Sequence, residues 1–365
     1  MKKLAILLLC APLWVIAQNT TQNYTKKTVY REANSGRPAS TVTYYDGLGR
    51  PVQQVANKQS ATGKDIITHI EYDMGRQLKD YLPYPATTTD MSYQSSAQQA
   101  ILNYSQYTGQ YPFGEKLLEA SPLNRPLRQG APGADWQLAP NNGTDHSLKF
   151  EYLTNTDTEV KYYYAATTWD VAQELYTIQL QDKGNYKASQ LYKTVTKDEN
   201  WTSGTNNTTE EFKDKEGRIV LKRTYNNGAH DTYYVYDIYG NLTYVIPPLA
   251  NTPLTQLDDL CYQYRYDHRN RQVEKKLPGK QWEFMVYDKL DRVVATGPAV
   301  TPFGGTQIGW MVSKYDALGR VVYTGWFATS ATRSTLQAQR NATNTNFYET
   351  RLRAGQTTTV DAVNI

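Results

Sequence analysis

The chain has 365 residues, a formal charge of +4, and 31 Tyr against 7 Phe and 7 Trp. Removing Lys2 and Lys3 with an N-terminal leader takes the charge to +2, too small a footprint for nucleic acid or an anionic membrane surface. Tyr favours strands and buries a broad ring while keeping its hydroxyl wet, so this composition suits an extensive thin sheet better than a deep globular core.

Lys2 and Lys3, the apolar run from Leu4 to Ile16, and the small-residue site Val15-Ile16-Ala17 before Gln18 have the layout of a secretory signal peptide over residues 1–17. Cys10 follows Leu7-Leu8-Leu9, but a lipid-attachment site prefers a small residue where Leu9 sits, and Cys10 falls inside the apolar stretch. No later segment is long and apolar enough to form an integral membrane helix. The expected mature product is therefore secreted, periplasmic or associated with the cell surface. Cys261 is then the only cysteine; an intramolecular disulfide is excluded, and the residue reads as a small buried apolar group.

A six-residue motif recurs along the chain. It reads Tyr45-Asp46-Gly47-Leu48-Gly49-Arg50, Tyr236-Asp237-Ile238-Tyr239-Gly240-Asn241, and Tyr266-Asp267-His268-Arg269-Asn270-Arg271. It returns as Tyr287-Asp288-Lys289-Leu290-Asp291-Arg292 and Tyr315-Asp316-Ala317-Leu318-Gly319-Arg320. Tyr72-Asp73-Met74-Gly75-Arg76 is one residue short, and Asp214-Lys215-Glu216-Gly217-Arg218 has its aromatic, Phe212, displaced by one. In the second half the Asp positions 214, 237, 267, 288 and 316 give steps of 23, 30, 21 and 28. A variable step of that size fits stacked hairpins with loops of differing length.

Asp at the first corner suits a type I turn, its side chain capping nearby backbone N–H groups. Such a turn closes a hairpin when the next residue takes positive φ and forms a bulge. Gly49, Gly217, Gly240, Asn270, Asp291 and Gly319 close the corners, with Gly75 one place early; only Gly, Asn and Asp occur there, the residues that tolerate positive φ most cheaply. The flanks alternate as strands do: Tyr234 and Tyr236 on one face, Tyr233 and Val235 on the other, then Leu242, Tyr244 and Ile246 against Thr243 and Val245. The Arg after each turn is placed to lie over a neighbouring ring. One hairpin alone is marginal, so neighbours must stabilise it.

Between the corners other elements are expected. Ser95 or Ser96 caps a short helix with Ala97, Ile101 and Tyr104 on one face. The Pro- and Gly-rich run from Tyr111 to Asn142 reads as an ordered irregular loop over a sheet edge. Phe150 to Tyr164 resumes strand character, and Asn200 to Thr209 is a polar hairpin tip. Pro247-Pro248 and Thr252-Pro253 introduce a short helix carrying Leu254, Leu257 and Leu260, and a last helical turn covers Ser334 to Arg340.

No catalytic, cofactor-binding or metal-binding residues are assigned, and no cofactor is expected. The histidines His69, His146, His230 and His268 are isolated in sequence, and no metal, nucleophile-elbow or phosphate-loop pattern occurs. Phe303-Gly304-Gly305-Thr306 reads as a turn, and the paired acids Asp258-Asp259 and Glu210-Glu211 read as solvated positions. Calcium-binding repeats use a nonapeptide step, which the spacing here exceeds.

The repeated Tyr-Asp-x-x-Gly-Arg corners resemble the YD-repeat, or rearrangement-hotspot (RHS), family. Pro51-Val52-Gln53-Gln54-Val55, Asp80-Tyr81-Leu82-Pro83-Tyr84-Pro85 and Ala120-Ser121-Pro122-Leu123-Asn124-Arg125 look like the uncharacterised N-terminal domain of its secreted Gram-negative members. The resemblance implies an all-β fold of stacked antiparallel hairpins, forming a curved or spiral open sheet with short helical insertions, part of a shell that encloses a C-terminal toxin or serves adhesion. The self-cleaving core segment of such relatives has no counterpart, so the sequence looks truncated before it. The expected organisation is a leader at 1–17, an N-terminal repeat-associated domain at 18–149, a YD-repeat sheet at 150–330 and a polar C-terminal segment at 331–365. Two functions follow. One is a scaffold whose partners are further shell or a C-terminal cargo polypeptide; the other is a glycan- or cell-binding module in which Trp282, Trp310 and Trp326 stack on sugars.

Overall fold

The computed structural model describes residues 21–30, 38–139, 145–343 and 347–349. The leader expected at 1–17, with Cys10, and most of the expected C-terminal segment lie outside the described residues. The chain forms two compact units, Met1–Glu151 with Thr196–Gly204, and Tyr152–Val195 with Thr205–Ile365. Both are built from antiparallel sheet with short helices, in the all-β class expected from the composition.

In the first unit, strands Asn23–Val29, Ala39–Tyr45, Pro51–Ala56, Ile66–His69 and Tyr84–Pro85 form an open sheet in that order. The two-residue period sets the core. Ser40, Val42 and Tyr44 turn inward while their neighbours stay half-exposed, and they meet Val55, Ile67 and the helix α1 (Ala97–Leu102) through Ala97 and Ile101. Ser96 stands at the cap of α1 but makes no side-chain cap bond. Burial of one face, rather than capping, holds this helix.

The expected irregular loop after Tyr111 is instead largely a hairpin. Strands Phe113–Leu118 and Pro126–Gly130 pair with each other, and the first also pairs with Lys79–Tyr81. Their corner is a disguised repeat. Ser121 takes the place of Asp and accepts from Leu123 N at 3.2 Å, and Asn124 sits at φ 51° where Gly usually stands. Glu119 supplies the carboxylate for Arg125, whose Nε and Nη2 donate at 2.9 and 2.8 Å. That pairing lowers the Glu119 carboxyl to about 2.

In the second unit, the strands Thr208–Lys213, Ile219–Tyr225, Ala229–Tyr236, Leu242–Ile246, Tyr262–Tyr266, Gln272–Lys276, Glu283–Tyr287, Val293–Val300, Ile308–Tyr315 and Val321–Phe327 pair each with the next in sequence. This meander is open, with Val321–Phe327 as an edge. A separate ribbon, Lys161–Asp170 with Leu175–Asn185, lays Ala165 and Leu180 onto Val235, Tyr244, Ile246 and Cys261. Helix α2 (Leu257–Leu260) packs Leu257 and Leu260 on the same cluster. It starts later than Thr252-Pro253 suggests, at Gln256, and leaves Leu254 exposed. Helix α3 spans Arg333–Ala342, longer than the turn expected, because Thr332 caps it by accepting from Thr335 N and its buried face supplies packing that periodicity alone understated.

Candidate functional site

Six corners share one hydrogen-bond plan. At Asp288, Oδ1 accepts from Leu290 N at 2.9 Å and from Arg292 N at 3.0 Å, while Oδ2 accepts from Arg292 Nε at 2.8 Å. Asp46, Asp214, Asp267 and Asp316 repeat this set with their own Arg, and Asp237 repeats it with Asn241. The closing residues all take positive φ: 76° at Gly49, 81° at Gly217, 85° at Gly240, 57° at Asn270, 60° at Asp291 and 76° at Gly319. A register shift at each hairpin marks the expected bulge.

The short copy differs. Asp73 and Arg76 bridge directly, with Met74 at φ 46° and Gly75 at 85° between them. That is the positive–positive signature of a two-residue type I′ turn, so Gly75 does not reproduce the bulged corner one place early. At the exposed corners, backbone N–H groups and the paired guanidinium hold the Asp46 and Asp316 carboxyls below their usual range. Both oxygens of each corner carboxylate are thus engaged within the corner.

Successive corners interlock through Tyr and Arg. Arg218 lies 4.9 Å from the Tyr236 ring centroid, Arg271 4.7 Å from Tyr287, and Arg292 4.5 Å from Tyr315; Arg50 relates to Tyr72 likewise at 4.5 Å. Each of these tyrosines also donates its hydroxyl to the carbonyl just past that Arg: Tyr236 to Ile219 at 3.0 Å, Tyr287 to Gln272 at 2.7 Å, Tyr315 to Val293 at 2.6 Å, and Tyr72 to Pro51 at 3.0 Å. Where Asn241 replaces Arg, Tyr266 keeps the hydroxyl bond, to Leu242 at 2.9 Å. Side chains at the tips add lateral links, Arg269 and Arg271 both reaching Asp291 at 2.9 Å.

A hollow of about 440 Å³ lies within the second unit, a size ordinary for small-ligand sites. Trp282, Phe284, Trp310 and Ile308 wall it, Leu175 and Thr177 of the ribbon border it, and residues 329–333 close it. At one side Arg265 stacks 4.2 Å over Trp282 and donates to Glu274 at 2.9 Å. Arg333 Nε stands 3.4 Å from Glu274 without hydrogen-bond geometry, and Nη2 donates to the Gln173 carbonyl. Burial lowers the Arg333 pKa.

The residues singled out from sequence do not converge. His146 and His230 bond the carbonyls of Glu199 and Asn226, His69 packs edge-on against Tyr81, and His268 meets Trp169. Burial depresses the His69 pKa. Among the described residues, no three His, Cys, Asp or Glu could hold a metal ion. The Cys261 thiol is fully buried and pushed up to about 11 by that burial. Asp258 is solvent-exposed and pairs with Lys276.

Glu210, expected to be solvated, is instead buried. Strand alternation turns it inward with Thr208 and Phe212, where Lys193 meets it at 2.8 Å and Arg223 at 3.7 Å. Of the tryptophans, Trp310 is buried and bonds the Ala331 carbonyl, while Trp326 bonds that of Ala299. Sequence reasoning did not single out Arg333 or Gln337, whose roles depend on strands far away in the chain; Gln337 bonds both N and O of Tyr287 at 2.9 Å.

Residues 17–150 match a family described as a domain of unknown function, DUF6443. No curated protein matches the chain. Among solved structures, the fold is similar to TcdB2-TccC3, with a TM-score of 0.51 and 17% identity over 84% of this chain and 14% of that one. It is similar also to TcdB2-TccC3-TEV, with a TM-score of 0.50 and 16% identity over 85% of this chain and 14% of that one. These likenesses are of fold, and the chain spans about a seventh of either structure. Among the described residues no helix is long and apolar enough to cross a membrane.

Proposed function

We propose that this chain is a secreted, non-enzymatic scaffold of the YD-repeat type, a part of a shell that encloses or presents another polypeptide. The observation that carries this reading is the corner ladder. Six repeated corners each hold their own hairpin, and Arg50, Arg218, Arg271 and Arg292 also engage the tyrosine of the next, an arrangement suited to a continuous wall. The fold likeness to much longer chains and the secretory leader support the same reading. The test is isolation of the processed chain from its native host under gentle conditions. A co-purifying polypeptide, encoded beside this gene, is expected; a bare, compact monomer with no bound polypeptide would overturn it.

A second reading, recognition of a surface carbohydrate, is favoured by the aromatic hollow, where Trp282 and Phe284 offer flat apolar walls beside the Arg265 guanidinium. A glycan array showing no retention by the native protein would remove it.

A further inference from the structure

Residues directly opposite each other on neighbouring strands share a face, and the register therefore sets Arg265, Glu274, Phe284 and Gly297 in one row across four strands. The row reads cation, anion, aromatic ring and an open position. Trp282 lies two residues before Phe284, hence on the same face, and the Arg265 guanidinium rests 4.2 Å from its ring centroid. Arg265, Glu274, Trp282 and Phe284 wall one part of the hollow of about 440 Å³ in the second unit. Ile308, Ser330 and Thr332 on its border are exposed, so it opens to solvent.

Charge on that wall does not balance. One carboxylate, Glu274, serves two guanidiniums. Arg265 Nη1 donates to Oε2 at 2.9 Å, while Arg333 Nε stands 3.4 Å from Oε1 without hydrogen-bond geometry. The Arg333 side chain is only 3% exposed, yet its Nε and Nη1, and Arg265 Nε beside them, find no hydrogen-bond partner among the described residues. Asp170, at the ribbon end of the border, uses Oδ1 to hold its own turn, accepting from Ala172 N at 2.9 Å and Gln173 N at 3.0 Å. Buried guanidinium donors left without acceptors are costly. A water supplies an acceptor but no charge; a carboxylate supplies both, in the flat geometry that a guanidinium matches.

We propose that this hollow binds an acidic sugar, a hexuronate unit, with its ring against Trp282 and Phe284 and its carboxylate on the Arg265–Arg333 side. The inference rests on the carbohydrate reading of the hollow and gives that carbohydrate a charge. Flat aromatic walls suit the apolar face of a sugar ring. Thr177, Thr329 and Ser330 add hydroxyls to the border, partners for the sugar's own hydroxyls that a purely aromatic acid would leave unused. A neutral sugar fits the same walls but leaves the surplus guanidinium charge unanswered.

The test titrates the full chain with methyl glucuronide and methyl galacturonide, each beside its methyl ester, and with benzoate, following tryptophan fluorescence and calorimetric heat. The esters keep ring and hydroxyls and lose only the charge, so this comparison needs no variant. At least one acid is expected to bind saturably, about tenfold more tightly than its ester. Trp282→Leu should weaken that binding about tenfold, and Arg265→Gln should bring acid and ester close together. Equal binding of acid and ester overturns the acidic class while leaving the carbohydrate reading in place. Benzoate binding as tightly as the better acid overturns the carbohydrate reading of the hollow and this inference with it. Saturable binding of neither acid overturns the hexuronate; retention of neutral sugars on the glycan array then still decides the broader reading. Binding untouched by both Trp282→Leu and Arg265→Gln places the sugar elsewhere and also overturns the assignment.

Discussion

Gly297 leaves the space that the Trp310 ring fills: a Cβ at Gly297 would stand 2.7 Å from Trp310 Cδ2 and 2.9 Å from Cε3. Gly297→Ala must therefore displace a buried indole, at a cost of about 1–3 kcal/mol typical of overpacking. Urea unfolding of the single variant and of Gly297→Ala with Trp310→Leu checks this. The expected result is strong coupling, the smaller side chain recovering most of the loss.

Equivalent corners should differ in weight according to burial. Asp288 has a fully buried side chain, and removing it strands Arg292, itself only 16% exposed. Asp288→Ala is expected to cost about 3 kcal/mol, in the range for breaking a buried pair. Asp316→Ala removes the same bonds beside the exposed Arg320 and should change the denaturation midpoint far less. Matching midpoints for the two variants would show that corner position does not matter.

Backbone conformation, separate from side-chain contact, is tested at Asn270, which is exposed and held at φ 57°. Asn270→Val should cost about 1–2 kcal/mol, since a β-branched residue resists the left-handed region. Asn270→Gly should stay near the parent despite losing the 3.1 Å contact with Asn241. Thermal unfolding of the pair separates the two contributions.

The tyrosine-rich core sets an alkaline limit. Burial pushes the hydroxyls of Tyr44, Tyr233, Tyr244 and Tyr266 up to about 12, against about 10 in an unfolded chain. These groups favour the fold fully below the unfolded value, and their contribution is lost as pH climbs through the folded one, so stability falls between about pH 10 and pH 12. Phenolate absorbance should rise in two waves, the second coinciding with loss of the far-ultraviolet circular dichroism of the sheet. One wave near pH 10 with the sheet signal intact would contradict this.

What the sequence disclosed was local. The Asp-to-Gly corner needs only five residues to specify it, so Asp46, Asp267 and Asp288 were readable in advance, as was the stacking of Arg on Tyr. The corner at Ser121-Pro122-Leu123-Asn124-Arg125 escaped notice because Ser and Glu119 divide between them what one Asp does elsewhere. Glu210 escaped because its partners Lys193 and Arg223 lie on other strands, and paired acids in sequence give no hint of which one turns inward. The hollow bounded by Trp282, Trp310 and Arg333 draws on segments more than a hundred residues apart, so no local pattern announces it.

The Tyr–Arg junction also has a genetic consequence. It couples each hairpin to its predecessor alone, and no residue at one corner senses how many corners came before. Steps between the corner aspartates as unequal as 21 and 30 are accommodated because the extra residues leave the junction itself untouched. Recombination between two equivalent Tyr-Asp codon pairs would delete or duplicate a whole hairpin and rejoin a tyrosine to an arginine of the same kind. Such a wall can change length over evolutionary time without inventing a new interface.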